Sequence, residues 1–181
     1  MKYCSHCGAP VVLDIPEGDD RPRYCCTACK MVHYQNPKMV VGCIAEWSGR
    51  ILLCKRAIEP RYGTWTVPAG YLENEETVAD GARREVFEEA RARIEGLTLY
   101  GLYSIRHVSQ VYLIFRGALI GPDYDAGEES LETALFKPGQ IPWDCISFPV
   151  IVRTLERYVE DCERRVFPFH MENITVRMKR N

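Results

Sequence analysis

Hydrophobic residues follow two different spacings along the chain, one typical of strands and one typical of helices. Val, Ile and Leu are concentrated in Met39–Trp47 and Ile51–Arg56, which predicts two strands joined by a hairpin at Ser48-Gly49-Arg50. Three later apolar segments predict further strands: Leu97–Ser104, Val108–Leu119 and Leu131–Phe136. A basic, strand-like segment, Ile174–Arg180, lies near the end of the chain.

Two other segments carry apolar residues at helical spacing. In the first, Thr77 followed by Asp80 is typical of an N-cap with a carboxylate in the first turn, and we expect this helix to run to about Arg91. Its apolar stripe consists of Val78, Ala82, Val86 and Ala90. The second segment lies between Phe148 and Cys162. Mixed strands around two helices predict an α/β sandwich.

The composition is that of an ordinary globular protein without a strong net charge. Of the 181 residues, 46% are hydrophobic and 27% are charged, and the formal net charge is −2. This charge gives no signature of polyanion binding, so we expect no nucleic acid partner. No apolar segment approaches the roughly 20 residues of a membrane span, and the N-terminus lacks a signal-peptide pattern. These features predict a cytoplasmic protein without a membrane partner.

Four of the nine cysteines have the spacing of a structural zinc site. Cys4 and Cys7 form one C-x2-C pair, Cys26 and Cys29 form a second, and 18 residues separate the two pairs. Four thiolates arranged in this way predict one closed, tetrahedral Zn²⁺ site. Because so short a segment cannot bury a core, we expect it to fold only with zinc.

The remaining cysteines and two histidines have other interpretations. Cys25 is an alternative ligand to Cys26, and His6 and His33 are poorer alternatives. Four cysteines in apolar surroundings are predicted to be small core residues: Cys43, Cys54, Cys145 and Cys162.

The first predicted helix places three carboxylates on one face. Glu85, Glu88 and Glu89 have i, i+3, i+4 spacing, at which like charges repel by roughly a few tenths of a kcal/mol per pair. One interpretation is a site for a divalent cation such as Mg²⁺, which prefers oxygen ligands. The other is a solvated face, because arginines stand at salt-bridge spacing from these glutamates.

The residues around the helix favour the metal site. Gly70 is followed after five residues by Glu76 and, after seven more, by Arg84-Glu85-Val86-Phe87-Glu88-Glu89. This arrangement resembles the Nudix box, G-x5-E-x7-R-E-U-x-E-E-x-G-U with U apolar. It differs at the last glycine, where this chain has Arg91. Since that glycine follows the metal-binding turn, the departure concerns the end of the helix.

The resemblance implies a Nudix hydrolase with an α/β/α sandwich, a mixed sheet and a Mg²⁺ or Mn²⁺ ion. The implied ligands of that ion are Glu85, Glu89, Glu88 as a third ligand that often acts through water, and the carbonyl of Ala69. Arg84 is expected to pair with Glu76 and to brace the preceding loop. In this family, Trp65-Thr66-Val67-Pro68 corresponds to a short strand that leads into the metal loop.

The general base and the substrate contacts lie outside the box. Glu129 is the preferred base, ahead of Glu128 and Glu132, although bound metal can lower the pKa of water enough to make a separate base unnecessary. Candidate substrate-binding residues are Arg56, Tyr62 and Tyr103, with Tyr112 and Phe148 as further rings that could stack on an adenine or a flavin. Each aromatic residue is also open to interpretation as core packing.

The chain as a whole resembles one branch of the family, in which a zinc ribbon precedes the Nudix domain. The matching segments are the ribbon ending in His33–Lys38, the stretch Trp65–Glu73, and Glu129–Phe136. This resemblance predicts a zinc ribbon at residues 1–36, a Nudix domain at residues 37–165 and a C-terminal tail at residues 166–181. Lys30 stands where the second cysteine pair usually has a glycine.

This branch contains FAD and ADP-ribose pyrophosphatases, which implies cleavage of a pyrophosphate bond to give AMP plus FMN or ribose 5-phosphate. NADH or another dinucleotide is an alternative substrate, but the SQPWPFP-type segment of NADH pyrophosphatases is reduced here to a fragment at Ser109-Gln110. A regulator that binds a nucleotide without hydrolysis is a further alternative, and the intact Arg84–Glu89 run argues against it. Many Nudix proteins are dimers, so a homodimer is compatible with the resemblance.

Overall fold

The computed structural model describes residues 1–175, and the chain divides into two compact units, Met1–Pro37 and a second that begins at Lys38. The first unit is a three-stranded antiparallel sheet. Its strands are β1 (Val11–Asp14), β2 (Arg23–Cys26) and β3 (Val32–His33). Cys4 and Cys26 are its buried residues. A unit with so little buried surface has almost no apolar core of its own.

The second unit contains an eight-stranded mixed sheet. Its strands are β4 (Lys38–Trp47), β5 (Arg50–Arg56), β6 (Trp65–Thr66), β7 (Ala69–Tyr71), β8 (Ile94–Ile105), β9 (Gln110–Leu119), β10 (Ser130–Phe136) and β11 (His170–Asn173). The main order is β10-β5-β4-β9-β8-β11. β4 and β9 are parallel, as are β8 and β11, whereas the other pairs are antiparallel. The strands predicted from apolar segments are therefore confirmed, with small changes in their bounds.

β4 and β5 separate soon after the hairpin that joins them. They pair only through Glu46–Trp47 and Arg50–Ile51. Beyond that point β7 pairs with β4 and β6 pairs with β5, so the segment from Trp65 to Tyr71 fills the gap. This split in the sheet fixes Ala69 and Gly70 beside Glu85 and Glu89, in the second half of the helix that follows.

Two helices cover opposite faces of the sheet. α1 (Val78–Ala90) packs with Val41, Cys43 and other residues on one face, and α2 (Pro149–Arg164) packs with Ile44, Ile114 and others on the other face. The alternation of side chains along each strand explains these two separate cores. The predicted α/β/α sandwich is confirmed. Neither described helix is long and apolar enough to cross a bilayer.

Three local predictions need correction or a change of bounds. Cys43 and Cys54 are buried as predicted, but Cys145 is exposed, and Cys162 is only half-buried. The strand predicted at Ile174–Arg180 is wrong where it can be compared, because the strand instead spans His170–Asn173 and pairs with β8. Residues 176–181 lie outside the described part of the chain.

Candidate active site

Helix α1 begins and ends in ways that its sequence explains. The Thr77 hydroxyl accepts a hydrogen bond from the Asp80 backbone N–H (3.1 Å) and donates to the Asp80 carboxylate (2.6 Å), as expected for an N-cap. At the other end Arg91 adopts a left-handed conformation (φ 51°), and its N–H donates to the Phe87 carbonyl at 2.9 Å. Arg91 thus takes the conformation for which the box usually supplies glycine, at a cost of about 1 kcal/mol.

The three glutamates of α1 occupy different environments. Glu85 and Glu89 are each only 7% exposed, whereas about half of the Glu88 side chain is accessible to solvent. Gly70 allows Glu85 this position, because a Cβ atom at residue 70 would collide with the Glu85 carboxylate. The Ala69 N–H lies 3.4 Å from Oε1 of Glu89. The split sheet and the helix therefore bring the glycine loop and two buried carboxylates together.

Burial changes the protonation of both buried carboxylates. Desolvation, reinforced by repulsion from Glu85, raises the pKa of Glu89 to about 8. Desolvation also raises the pKa of Glu85, although Arg84 opposes the shift. Among residues 1–175, no Lys, Arg or His side chain forms an ion pair with Glu89. In the absence of another cation, this carboxylate is therefore held partly protonated near neutral pH.

Arg84 connects the helix to the loop that precedes it. Its Nε and Nη2 donate to the two carboxylate oxygens of Glu76 at 3.0 and 2.7 Å, and Nη2 also donates to the Tyr71 carbonyl. Nη1 reaches Glu85 at 2.7 Å and Glu88 at 2.9 Å. This pairing, with help from the Glu73 N–H, lowers the pKa of Glu76 to about 2. The predicted ion pair between Arg84 and Glu76 is present.

A later loop docks against the C-terminal end of α1. The Asp125 and Gly127 N–H groups donate to the carbonyls of Ala90 (2.9 Å) and Glu89 (3.0 Å). A side chain at Gly127 would overlap the Glu88 carbonyl, so only glycine allows this approach. No motif in the sequence assigns a role to Gly127. Its position immediately before two acidic residues was the available signal.

A cavity of about 930 Å³ opens beside these carboxylates, at the upper end of the size range of ligand sites. Its charged lining residues include Glu85, Glu88, Glu89, Glu128, Glu129, Arg56 and Arg84. Part of its apolar lining comes from residues of the α2-side core: Ile105, Tyr112, Phe148, Val150 and Ile174. One cavity therefore joins the carboxylates of α1 to an apolar wall on the other side of the sheet.

The predicted substrate contacts divide into those that reach the cavity and those that do not. Arg56 lines it, donates from Nε to the Pro60 carbonyl at 3.0 Å, and lies 5.2 Å from the centre of the Phe148 ring. Tyr62 and Tyr103 are corrections, because neither lines the cavity. Tyr62 is an exposed loop residue, and Tyr103 is fully buried in the core on the α2 side.

Of the three candidate general bases, two line the cavity and one does not. Glu128 and Glu129 both line the cavity and are exposed, and the Ala57 N–H donates to the Glu129 carbonyl at 2.8 Å. Glu132 does not line it, and instead its carboxylate lies 3.5 Å from Lys55 Nζ.

The donor set at α1 fits a hard divalent cation. Carboxylate oxygens are the ligands that Mg²⁺ and Mn²⁺ prefer. Glu85 and Glu89 supply such oxygens at a buried position open to a cavity. Burial and the nearby Glu85 charge raise the pKa of Glu89, and a bound cation would favour its ionised form. Ala69, whose carbonyl is the further predicted ligand, also lines the cavity.

The first unit brings its four predicted zinc ligands together. The Sγ atoms of Cys4, Cys7, Cys26 and Cys29 all lie within 4.8 Å of one another. Such spacing suits a tetrahedral ion with Zn–S bonds of about 2.3 Å. The backbone N–H of Cys29 donates to Cys26 Sγ at 3.4 Å, and this contact contributes most to lowering the pKa of the Cys26 thiol to about 6.

The alternative zinc ligands take other positions. The Cys25 thiol points to backbone carbonyls, at 3.7 Å from Arg23 and 4.0 Å from Asp14, and is not part of the cluster. His33 Nε2 lies 3.3 Å from Cys4 Sγ, where the ring can hydrogen-bond the thiolate from outside the ligand set.

These two sites define a class of protein, and comparison with known families gives the same answer. Residues 36–144 match the model of the NUDIX domain, and residues 2–35 match the zinc ribbon described as Nudix N-terminal. The chain belongs to the Nudix family and carries the zinc ribbon found in front of the domain. The predicted combination of zinc ribbon and Nudix fold is confirmed.

Several individual proteins are similar to this chain in sequence or structure. A NUDIX hydrolase from Nitrosomonas europaea is 52% identical, with a TM-score of 0.92 over 96% of this chain and 99% of that one. An ADP-ribose pyrophosphatase from Methanocaldococcus jannaschii is 29% identical over 131 residues, covering 69% of this chain and 76% of the relative. The NAD-capped RNA hydrolase NudC of Vibrio parahaemolyticus is 29% identical over 130 residues, covering 71% of this chain. The chain spans only 45% of that relative's length.

Proposed function

We propose that this protein hydrolyses the pyrophosphate bond of a nucleoside diphosphate linked to another moiety. ADP-ribose and FAD are the favoured substrates, giving AMP with ribose 5-phosphate or FMN. The observation that carries the proposal is the pair of buried carboxylates, Glu85 and Glu89, at one side of a cavity whose other wall is apolar and aromatic. A diphosphate joined to a planar ring matches this arrangement, with a charged part for the carboxylate side and a flat apolar part for the other wall. The ADP-ribose pyrophosphatase among the relatives supports this substrate class.

Glu85 and Glu89 would hold Mg²⁺ or Mn²⁺, with Glu88 and the Ala69 carbonyl completing the protein's share of the ligands. When bound, the ion supplies positive charge to the diphosphate and lowers the pKa of a coordinated water. Glu76 keeps Arg84 in place, so that the guanidinium orients Glu85 and Glu88. Arg84 cannot act as a base, because a guanidinium stays protonated.

Arg56 is the residue we assign to a substrate phosphate. It lines the same cavity as Glu89, and its positive charge acts against the rise in the pKa of that carboxyl group. The Pro60 carbonyl and the Phe148 ring hold the guanidinium in position. A pre-positioned arginine suits the paired oxygens of a phosphate.

Glu129 is the residue we assign as general base. It lines the same cavity as Glu85 and Glu89, and its charge adds to the rise in the pKa of both carboxyl groups. Glu128, the alternative base, lines the same cavity. A carboxylate at that position can accept the proton of the attacking water.

A second candidate substrate is NADH or another dinucleotide. It is favoured by the similarity to NudC, which is named an NAD-capped RNA hydrolase and belongs to the same family. The same carboxylates and the same cavity would serve this reaction, and only the contacts with the second nucleoside would differ.

The test is a substrate panel with product identification. Purified protein is incubated with Mg²⁺ or Mn²⁺ and with FAD, ADP-ribose, NADH, diadenosine polyphosphates or 8-oxo-dGTP, and products are identified by mass. AMP formed mainly from FAD or ADP-ribose is the expected result. Dominant turnover of NADH would favour the second candidate. Nucleotide binding without turnover of any compound would instead support a non-hydrolysing regulator.

A further inference from the structure

The segment after α2 returns to the sheet and is fixed there by charged side chains. β11 pairs in parallel with β8 over four residues, from His170 with Gly101 to Asn173 with Ser104. Glu172 on this strand accepts hydrogen bonds from the Nε atoms of Arg153 (2.7 Å) and Arg157 (2.6 Å) on α2. A short edge strand of this kind would be weakly held by backbone pairing alone.

A second set of contacts fixes the start of the strand. The Asp161 carboxylate is 2% exposed, and its Oδ2 accepts from the Tyr100 hydroxyl at 2.6 Å and lies 2.7 Å from His170 Nε2. Tyr100 and His170 also pack edge to face, with ring centres 5.1 Å apart. β11 is therefore tied both to α2 and to β8, at its beginning and in its middle.

The residue that follows β11 reaches the cavity. The Ile174 N–H donates to the Ser104 carbonyl at 2.9 Å, which continues the parallel pairing by one step. Its side chain is half-buried, packs against the α2-side core and lines the cavity together with Ile105 and Val150. The next residue along the neighbouring strand, Ile105, is one of these partners, so the register of β11 decides what Ile174 touches.

We propose that β11 positions Ile174 as a specificity-determining residue, which packs against the planar aromatic ring of the substrate. This inference rests on the proposed function for the identity of the ligand. The ring can be the adenine or the flavin, which share a flat apolar face that aliphatic side chains cover well. Glu172 is a positioning residue in this scheme, because it reaches the substrate only through the placement of Ile174.

The experiment compares ligands with and without a ring on the full-length protein. Affinities for ADP-ribose, FAD, AMP and ribose 5-phosphate are measured by calorimetry in the wild type and in Ile174→Ala, and kcat and KM are measured for each compound that is cleaved. Met171→Ala is the matched control, since Met171 is on the same strand, 72% exposed and not part of the cavity lining.

Ile174→Ala should weaken binding of the ring-bearing ligand about tenfold and raise KM similarly with little change in kcat, because it removes binding that ground and transition states share. The affinity of Ile174→Ala for ribose 5-phosphate should stay within twofold of the wild-type value. The affinities and KM values of Met171→Ala should also stay within twofold of the wild type. Glu172→Ala should shift KM in the same direction as Ile174→Ala, with kcat again preserved. A thermal melt of each variant separates this effect from loss of the fold.

The failure of this inference is distinct from failure of the proposed function. The role of Ile174 is overturned if wild type and Ile174→Ala bind every ring-bearing ligand with equal affinity. It is also overturned if Ile174→Ala weakens the binding of ribose 5-phosphate as much as that of the ring-bearing ligands. A wild-type protein that binds none of the ring-bearing ligands overturns it as well. Tight binding of ADP-ribose or FAD that depends on Ile174, without any cleavage, would keep the inference and overturn the hydrolysis.

Discussion

The chain contains two groups of predicted metal ligands that are built in opposite ways. The four cysteines come from two separate turns and meet with all sulfur atoms within 4.8 Å, which leaves no position for a substrate. The glutamates come from consecutive turns of one helix, and a cavity of about 930 Å³ opens beside them. A closed set of ligands can stabilise a fold, whereas an open set can share its ion with a substrate.

The surroundings of the two groups differ as much as their geometry. Within residues 1–37 the buried residues are Cys4 and Cys26, which are themselves two of the predicted zinc ligands. The glutamates instead lie on a helix packed into one of two extensive cores. Loss of a thiolate should therefore unfold residues 1–37, whereas loss of a carboxylate should lower turnover and leave the fold intact.

The largest expected effect is on the thiolate group. Cys26→Ala should abolish stoichiometric zinc binding and remove hydrogen-exchange protection from residues 1–37, because zinc contributes about 10–16 kcal/mol in small zinc domains. Cys25→Ala is the matched control and should retain one zinc per chain, since Cys25 is outside the cluster. Zinc retained by Cys26→Ala and lost by Cys25→Ala would show that the ligands have been assigned wrongly. Elemental analysis and exchange mass spectrometry make the measurement.

The next effect is on the pH dependence of stability, which arises from protonation of Glu89 without added Mg²⁺ or Mn²⁺. The folded protein holds the pKa of Glu89 at about 8, above its ordinary value of 4.5, so the folded state binds the proton more tightly than the unfolded state. This stability is fully present below about pH 4.5 and is lost as the pH rises to about 8, by at most roughly 4–5 kcal/mol.

Urea unfolding of the wild type and of Glu89→Gln from pH 5 to pH 9 measures this contribution. The free energy of unfolding should fall with rising pH more steeply in the wild type than in the variant. Parallel curves for the two proteins would sink the assignment of Glu89 as the titrating group.

The effect of losing the Glu89 carboxylate on catalysis is somewhat smaller in free energy than the effect of its titration on stability. Glu89→Gln should lower kcat about 10²- to 10³-fold while the fold is kept, because a neutral amide is a poor ligand for the proposed ion. Glu95→Gln, an exposed position away from the cavity, should leave turnover unchanged. Near wild-type turnover by Glu89→Gln at saturating Mg²⁺ would refute the proposed metal site.

The smallest effect is expected where the carboxylate acts through another residue. Glu76→Gln should lower kcat/KM about 10- to 100-fold, since it weakens the two hydrogen bonds that hold Arg84. Glu75→Gln removes a neighbouring charge that forms no ion pair among the described residues, and it should behave like the wild type. An equal loss in both variants would indicate a general effect of charge on the loop.

How well each part could be predicted depends on how local it is in the sequence. The segment from Gly70 to Arg91 is nearly continuous, so spacing predicts its helix and the face that carries three glutamates, and the resemblance to the Nudix box implies the Glu76–Arg84 pair. The burial of Glu85 and Glu89 follows from neither pattern. The apolar cavity wall comes from β8, β9, α2 and the residue after β11, and no local pattern joins these elements.

Tyr103 and Tyr112 illustrate the limit of such predictions. They are direct cross-strand partners on β8 and β9, so both side chains face the same side of the sheet. Only Tyr112 lines the cavity, while Tyr103 is fully covered. Strand alternation gives the face that a residue occupies, and the packing of distant segments decides whether it is covered.

The split between β4 and β5 has a consequence for how this protein can change over evolution. The segment from Trp65 to Tyr71 is hydrogen-bonded to β4 and to β5, so the reaction machinery is anchored in the middle of the sheet. The apolar wall is assembled from β8, β9, α2 and the residue after β11, and β11 is the outermost strand at one edge of the sheet. On the proposed function, substitutions at that edge would change ligand preference without moving the carboxylates of α1. The architecture thus separates the part that must stay constant from the part that is free to diversify.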